Sequence, residues 1–186
     1  MTLTAMDART ALLVVDLQEG ILGLPTVHPT AEITDRAAEL AAVFRAHELP
    51  VVLINVAGGA PGRNEMPKST STPAANWTDL AAQLKAEDSD HRVTKKTWDA
   101  FPGTDLHAYL QSHNVTQVVL VGIATSIGVE STARSAYALG YNVTLATDAM
   151  TDMDPEAHRN SLERVFPKLG ETGSTAEVAA LVQSSR

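Results

Sequence analysis

Apolar residues along this chain fall into two rhythms. Three short runs are almost continuously apolar: Ala11-Leu12-Leu13-Val14-Val15, Pro50-Val51-Val52-Leu53-Ile54-Asn55-Val56 and Gln117-Val118-Val119-Leu120-Val121-Gly122. Short, β-branched-rich runs without alternation are what strands covered on both faces require. Residues 92–95 and 141–146 read as weaker strands. Between them the rhythm changes. Residues 31–48 set Ile33, Ala37, Leu40, Ala41 and Phe44 close to a 3.6-residue period, the stripe of a helix packed on a core. Further helices are predicted over 104–110, 126–139, 155–169 and 174–182. Gly140 and Gly170 stand at helix-stop positions, and Asp154 at an N-cap. Strands alternating with helices predict a single α/β domain over residues 1–186, a Rossmann-like three-layer α/β/α arrangement. Its sheet is expected to be mainly parallel and doubly wound, with five to six strands. Residues 57–77, rich in Pro, Gly and polar side chains, form the one long irregular stretch, of the kind used as lids, binding loops or contact arms.

Composition narrows the chemistry. The 186 residues suffice for one domain with a sizeable core. Aromatic residues make up only 4%, so Ala, Val and Leu must fill that core. A net charge of −8 argues against nucleic acid and anionic membranes as partners, since both need a basic face. No run approaches the roughly 20 apolar residues of a membrane span. The first nine residues lack the apolar centre of a signal peptide, so the expected location is the cytoplasm. There is no cysteine, which excludes disulfides, zinc–thiolate sites and a cysteine nucleophile.

In open α/β sheets, ligands bind beyond the carboxyl ends of the strands. Those ends here carry Asp16-Leu17-Gln18, Asn55, Lys95-Lys96, Gly122-Ile123-Ala124-Thr125-Ser126 and Thr147-Asp148. A carboxylate directly after five apolar residues is partly desolvated, and a lysine offsets that cost. A coupled Asp16–Lys95 pair in a cleft can hold a proton ready for transfer. Spacing alone leaves a second reading open, a turn acid and an unrelated surface lysine. Ala124 to Gly128 reads either as a capped helix start or as backbone amides that meet an anion. Asp148, Asp152 and Asp154 read as turn and cap residues in preference to the alternative, a metal-binding cluster, and His158 as a solvent-facing or locally paired helix residue. Trp98 and Phe101 line a pocket or pack in the core. No metal-ligand spacing occurs among the histidines.

The ordered segments resemble the isochorismatase-like hydrolases, the cysteine hydrolase superfamily, over nearly the whole chain. They are residues 11–18, Lys95-Lys96-Thr97-Trp98-Asp99-Ala100-Phe101-Pro102-Gly103-Thr104-Asp105-Leu106, residues 122–134, Gly140-Tyr141-Asn142-Val143, and Asp148-Ala149. Most such proteins are amidases with an Asp–Lys–Cys triad. The resemblance places the acid at Asp16 and the lysine at Lys95, with Lys96 as the one-residue-slip alternative. The cysteine position falls on Gly128. Gln18, Trp98, Ala124, Thr125 and Ser126 are the implied substrate-binding residues. The resemblance also implies a non-proline cis peptide around Ile123-Ala124 and a homo-oligomer, dimer or tetramer. The metal pattern of the nicotinamidase branch is missing, since no histidine lies between His47 and His91. No cofactor and no metal are expected.

Glycine cannot attack a carbonyl, so the thioester route is closed. Isochorismatases of the same superfamily also have glycine there and cleave a vinyl ether, releasing pyruvate. That reaction needs an acid to protonate the enol carbon, a role suited to an aspartic acid of raised pKa. The expected function is therefore hydrolysis of a small vinyl ether or related substrate by Asp16 and Lys95, without cysteine. Ala124-Thr125-Ser126 departs from the Tyr-Ala-His of those isochorismatases, and Arg63 and Lys68 are the main further cations for a dianion. Two other readings stand beside it. One is amide hydrolysis through Ser126, Thr125 or an activated water; the other is a non-catalytic family member.

Overall fold

The computed structural model describes residues 3–65 and 72–184. Six parallel strands form one sheet in the order β3-β2-β1-β4-β5-β6. These are β1 (Thr10–Val15), β2 (Val51–Val56), β3 (His91–Lys95), β4 (Gln117–Ile123), β5 (Asn142–Thr151) and β6 (Glu171–Gly173). The expected strands are all present, and β6 adds a short sixth.

The helices are α1 (Glu19–Leu22), α2 (Thr30–Ala46), α3 (Leu106–Ser112), α4 (Glu130–Ala138), α5 (Pro155–Asn160), α6 (Phe166–Leu169) and α7 (Thr175–Ser184). They cover both faces of the sheet. On one face Ile33, Leu40 and Phe44 of α2 and Val178 of α7 pack on Leu12, Val14, Leu53 and Val121. On the other, Leu106 and Leu110 of α3, Ala133 and Ala136 of α4, and Phe166 pack on Leu13, Val15, Ile54 and Leu120. Alternate residues of a strand serve opposite faces, so strands buried on both sides carry apolar residues at every position.

Three sequence expectations change. The helix predicted over 155–169 is α5 and α6 joined by a π turn, Ser161–Val165. That predicted over 126–139 likewise opens on a π turn, Thr125–Val129, before α4. And β5 runs on to Thr151 through an irregularity opposite Leu120 and Gly122, so Thr147-Asp148 lies inside the strand. Asp148 instead accepts hydrogen bonds from the amide and hydroxyl of Thr175 at the start of α7.

Asp154 caps α5, its Oδ1 accepting from the amides of Glu156 at 2.8 Å and Ala157 at 3.2 Å. Asp154→Ala leaves those donors to water and lowers stability by about 1 kcal/mol. The urea midpoint measures this, and an unchanged midpoint would show that the cap contributes nothing.

One glycine decides how closely the strands meet behind the site. Gly122 pairs with Val15 and has φ +127°; a Cβ there would lie 2.0 Å from the Val15 carbonyl oxygen. No other residue fits this approach.

Candidate active site

Asp16 is the first residue beyond β1. The chain turns there with φ +53°, a left-handed conformation that Asp tolerates better than most residues, and swings the carboxyl into the cleft. Only 5% of the residue is exposed. Its Oδ2 accepts a hydrogen bond from Lys95 Nζ at 2.8 Å, while its buried Oδ1 has no partner. Lys95 is the last residue of β3 and also donates to the Thr97 carbonyl at 3.0 Å. Burial pushes the Asp16 carboxyl up to about 6; the charge and hydrogen bond of Lys95 pull the other way without cancelling it. Lys95 is buried and is the lysine that pairs with Asp16, whereas Lys96 is exposed.

The third element is the turn after β4. The Ile123–Ala124 peptide is cis. Gly128 is buried against the acid: a Cβ there would stand 3.1 Å from Asp16 Oδ2 and 3.1 Å from Val15 Cγ1. Its carbonyl accepts from Thr132 Oγ1 at 2.7 Å, and that hydroxyl oxygen in turn accepts from the Ala100 amide at 3.2 Å, linking the turn to the segment after Lys95.

These groups open onto a cavity of about 220 Å³. Asp16, Lys95, Trp98, Ala124 and Gly128 all line it. Its other walls are largely apolar, from Ile21, Leu24, Val56, Ile127 and Met153, with Gly58 and Gly59 from the long loop. Trp98 is 63% exposed at its rim, whereas Phe101 is buried in the core. A carboxylic acid with one free oxygen, held by an ammonium group beside an apolar chamber, is equipped to deliver a proton to a bound substrate.

Gln18, Thr125 and Ser126 are not among the residues lining this cavity. Gln18 is fully buried; its amide donates to the carbonyls of Val56 and Trp77 and accepts from the Val56 amide. Thr125 is also fully buried, and its hydroxyl meets His158 Nδ1 at 2.9 Å. Ser126 donates from both its amide and its hydroxyl to Asp152 Oδ2, each at 2.7 Å. His158 is therefore buried and paired with a residue 33 positions away, not turned to solvent as its helix suggested. Arg63 lines an adjoining hollow that shares Gly59, Thr97 and Trp98 with the cavity. Lys68 lies outside the described residues. A hollow of about 310 Å³ at the amino-terminal ends of β4, β5 and β6 is lined by residues that include Asp7 and Glu171, whose carboxylates already bond Thr116, Asn142 and Thr4.

Among the described residues no group of three His, Asp or Glu side chains is placed to hold a metal ion, and no helix is long and apolar enough to cross a membrane.

Comparison with known proteins places this geometry in context. A family model described as the isochorismatase domain matches residues 10–177. The uncharacterized isochorismatase family protein YecD of Escherichia coli O157:H7 is 41% identical over 178 residues, 91% of this chain and 94% of that one. The ureidoacrylate amidohydrolase RutB of Methylobacterium radiotolerans is 31% identical over 194 residues, covering 87% of this chain and 75% of that one. A solved isochorismatase family protein from Burkholderia thailandensis superposes with a TM-score of 0.92 at 37% identity, over 97% of this chain and 98% of that one.

Proposed function

Because the chain belongs to the isochorismatase family, we propose that it is a hydrolase that works without a nucleophilic side chain, cleaving a small vinyl ether or related acid by proton transfer from Asp16. One observation carries this reading. The Asp16 carboxyl is buried, holds its proton up to about pH 6 and has one unpartnered oxygen, and Asp16 and its partner Lys95 both belong to the lining of the cavity.

The chemistry follows from the groups present. Neutral Asp16 gives its proton to the terminal enol carbon, leaving an oxocarbenium-like centre. Water adds to that centre and its spare proton returns to the Asp16 carboxylate. The hemiketal then collapses to a ketone and an alcohol. No covalent enzyme intermediate is needed. Lys95 tunes Asp16 and stabilises its carboxylate between the two proton transfers. Gly128 stands where amidase relatives carry a thiol, and leaves space above the acid for the substrate. The amides of Ala124 and Gly128 are the proposed contacts for a substrate carboxylate.

Amide hydrolysis through Thr125 or Ser126 has less support. One hydroxyl is buried against His158, and the other is bound to Asp152.

The test is purified protein incubated with isochorismate, following pyruvate. Pyruvate forms above the buffer control. Since the protonated acid is the active form, kcat/KM is level below pH 6 and falls as pH rises through it, approaching about tenfold per unit. Absence of pyruvate removes this substrate. A profile that stays flat between about pH 5 and 8 removes the mechanism.

A further inference from the structure

Two buried groups that the proposed reaction does not use are fastened to the turn that walls the cavity. His158 is 7% exposed and its Nδ1 lies 2.9 Å from Thr125 Oγ1. Asp152 is 2% exposed and receives both the amide and the hydroxyl of Ser126 on one oxygen. Consecutive residues of the turn are thus held by different side chains. Both holders come from the segment following β5, and that segment is itself tied down. Asp152 Oδ1 accepts from the Asp154 amide at 3.2 Å, and Asp154 caps the helix that carries His158. Burying an imidazole and a carboxylate costs free energy unless their hydrogen bonds persist. Neither group lines the cavity, so contact with a ligand there does not account for them.

We propose that His158 and Asp152 are positioning residues, a two-point clamp that fixes the Ala124–Gly128 turn against Asp16 and so sets where substrate sits over the acid. This rests on the cavity being the reaction site. The clearance is small. The Cβ point of Gly128 is 3.1 Å from Asp16 Oδ2, so a modest shift of the turn opens or closes the space above the carboxyl. The clamp grips residues 125 and 126, whereas the cavity is walled by 124, 127 and 128. Holding the former fixes the latter through one peptide unit on the Ala124 side and at most two on the Gly128 side.

The experiment compares His158→Leu, which removes the bond to Thr125, with His158→Asn, whose amide can reach the position of Nδ1. Pyruvate release by His158→Leu falls in kcat/KM by about 10- to 100-fold, the effect of displacing a binding surface by up to an ångström. His158→Asn recovers most of it. A second readout needs no substrate. The chain has no cysteine, so a thiol introduced by Gly128→Cys is the only one present. Its alkylation by iodoacetamide reports the surroundings of the turn. Adding His158→Leu changes that rate by about threefold or more, and His158→Asn instead restores it. The clamp is overturned if alkylation and kcat/KM are both insensitive to His158→Leu, or if the Leu and Asn variants are equally impaired. Should the unmodified protein release no pyruvate, the reading of the activity falls while alkylation still decides the clamp.

Discussion

Asp16→Asn lowers kcat/KM for pyruvate release by about 10²- to 10⁴-fold, the usual contribution of a positioned general acid. The substitution is chosen to leave everything else in place. Asparagine tolerates the left-handed turn at φ +53° and keeps an oxygen for Lys95 Nζ, but its amide has no proton to give an enol carbon. Circular dichroism and the urea midpoint show whether the variant is folded. A folded Asp16→Asn protein with activity within about threefold of the parent would remove Asp16 from the chemistry. The same variant loses the pH dependence near 6, because the group responsible for it is gone. Residual activity should therefore be level with pH.

Lys95→Met has the largest expected effect on stability, about 3–5 kcal/mol at alkaline pH, the range for stripping one partner from a buried ion pair. Lys95 is 2% exposed and fills its site, so methionine replaces the stem while removing the charge and both hydrogen bonds. Asp16 then has no partner on either oxygen. The pH dependence has a definite sign. The folded protein holds the Asp16 proton up to about pH 6, against an ordinary value of 3.8. The native state therefore binds more protons than the unfolded chain between those values, and stability declines as pH rises through that window. Without Lys95 the two influences that lower the Asp16 value vanish, so its proton is held to higher pH and the decline continues beyond 6. The gap between parent and variant widens above pH 6 and narrows below it. Any remaining activity follows the acid, and its pH limb moves up. Urea titrations at several pH values measure the first effect and rate profiles the second. A gap independent of pH would show that Lys95 does not tune Asp16.

The layered sheet and the acid were legible because buried parallel strands are spelled by continuous apolar runs, and Asp16 interrupts one of them. The choice between Lys95 and Lys96 had a signal in β3 itself. Val93 and Lys95 share a parity, and that face is the buried one. The end of β5 was not legible. Thr147-Asp148 carries turn-forming residues, and only the irregular pairing with β4 lets the strand continue to Thr151. The short β6 has no apolar signature at all, since Glu171-Thr172-Gly173 pairs only by backbone. Gln18, Thr125 and Ser126 were legible as residues near the site but not as residues facing away from it. Their partners, Val56, His158 and Asp152, lie 26 to 38 positions along the chain, beyond the reach of local patterns. His158 was the least visible. It sits among Glu156, Arg159 and Asn160 on a short helix, and nothing local marks it as buried.

The strand that supplies Lys95 does not touch the strand that supplies Asp16. β2 runs between them, and β3 is an edge of the sheet. The lysine thus spans two strand spacings, roughly 9–10 Å, to reach its acid. Edge strands are held on one side only and are among the first parts of a sheet to fray. Were β3 to peel away, the ammonium group would leave with it, and Asp16 would lose the charge and hydrogen bond that pull its value down. The proton donor of the site thus depends for its partner on how firmly an edge strand stays paired with β2.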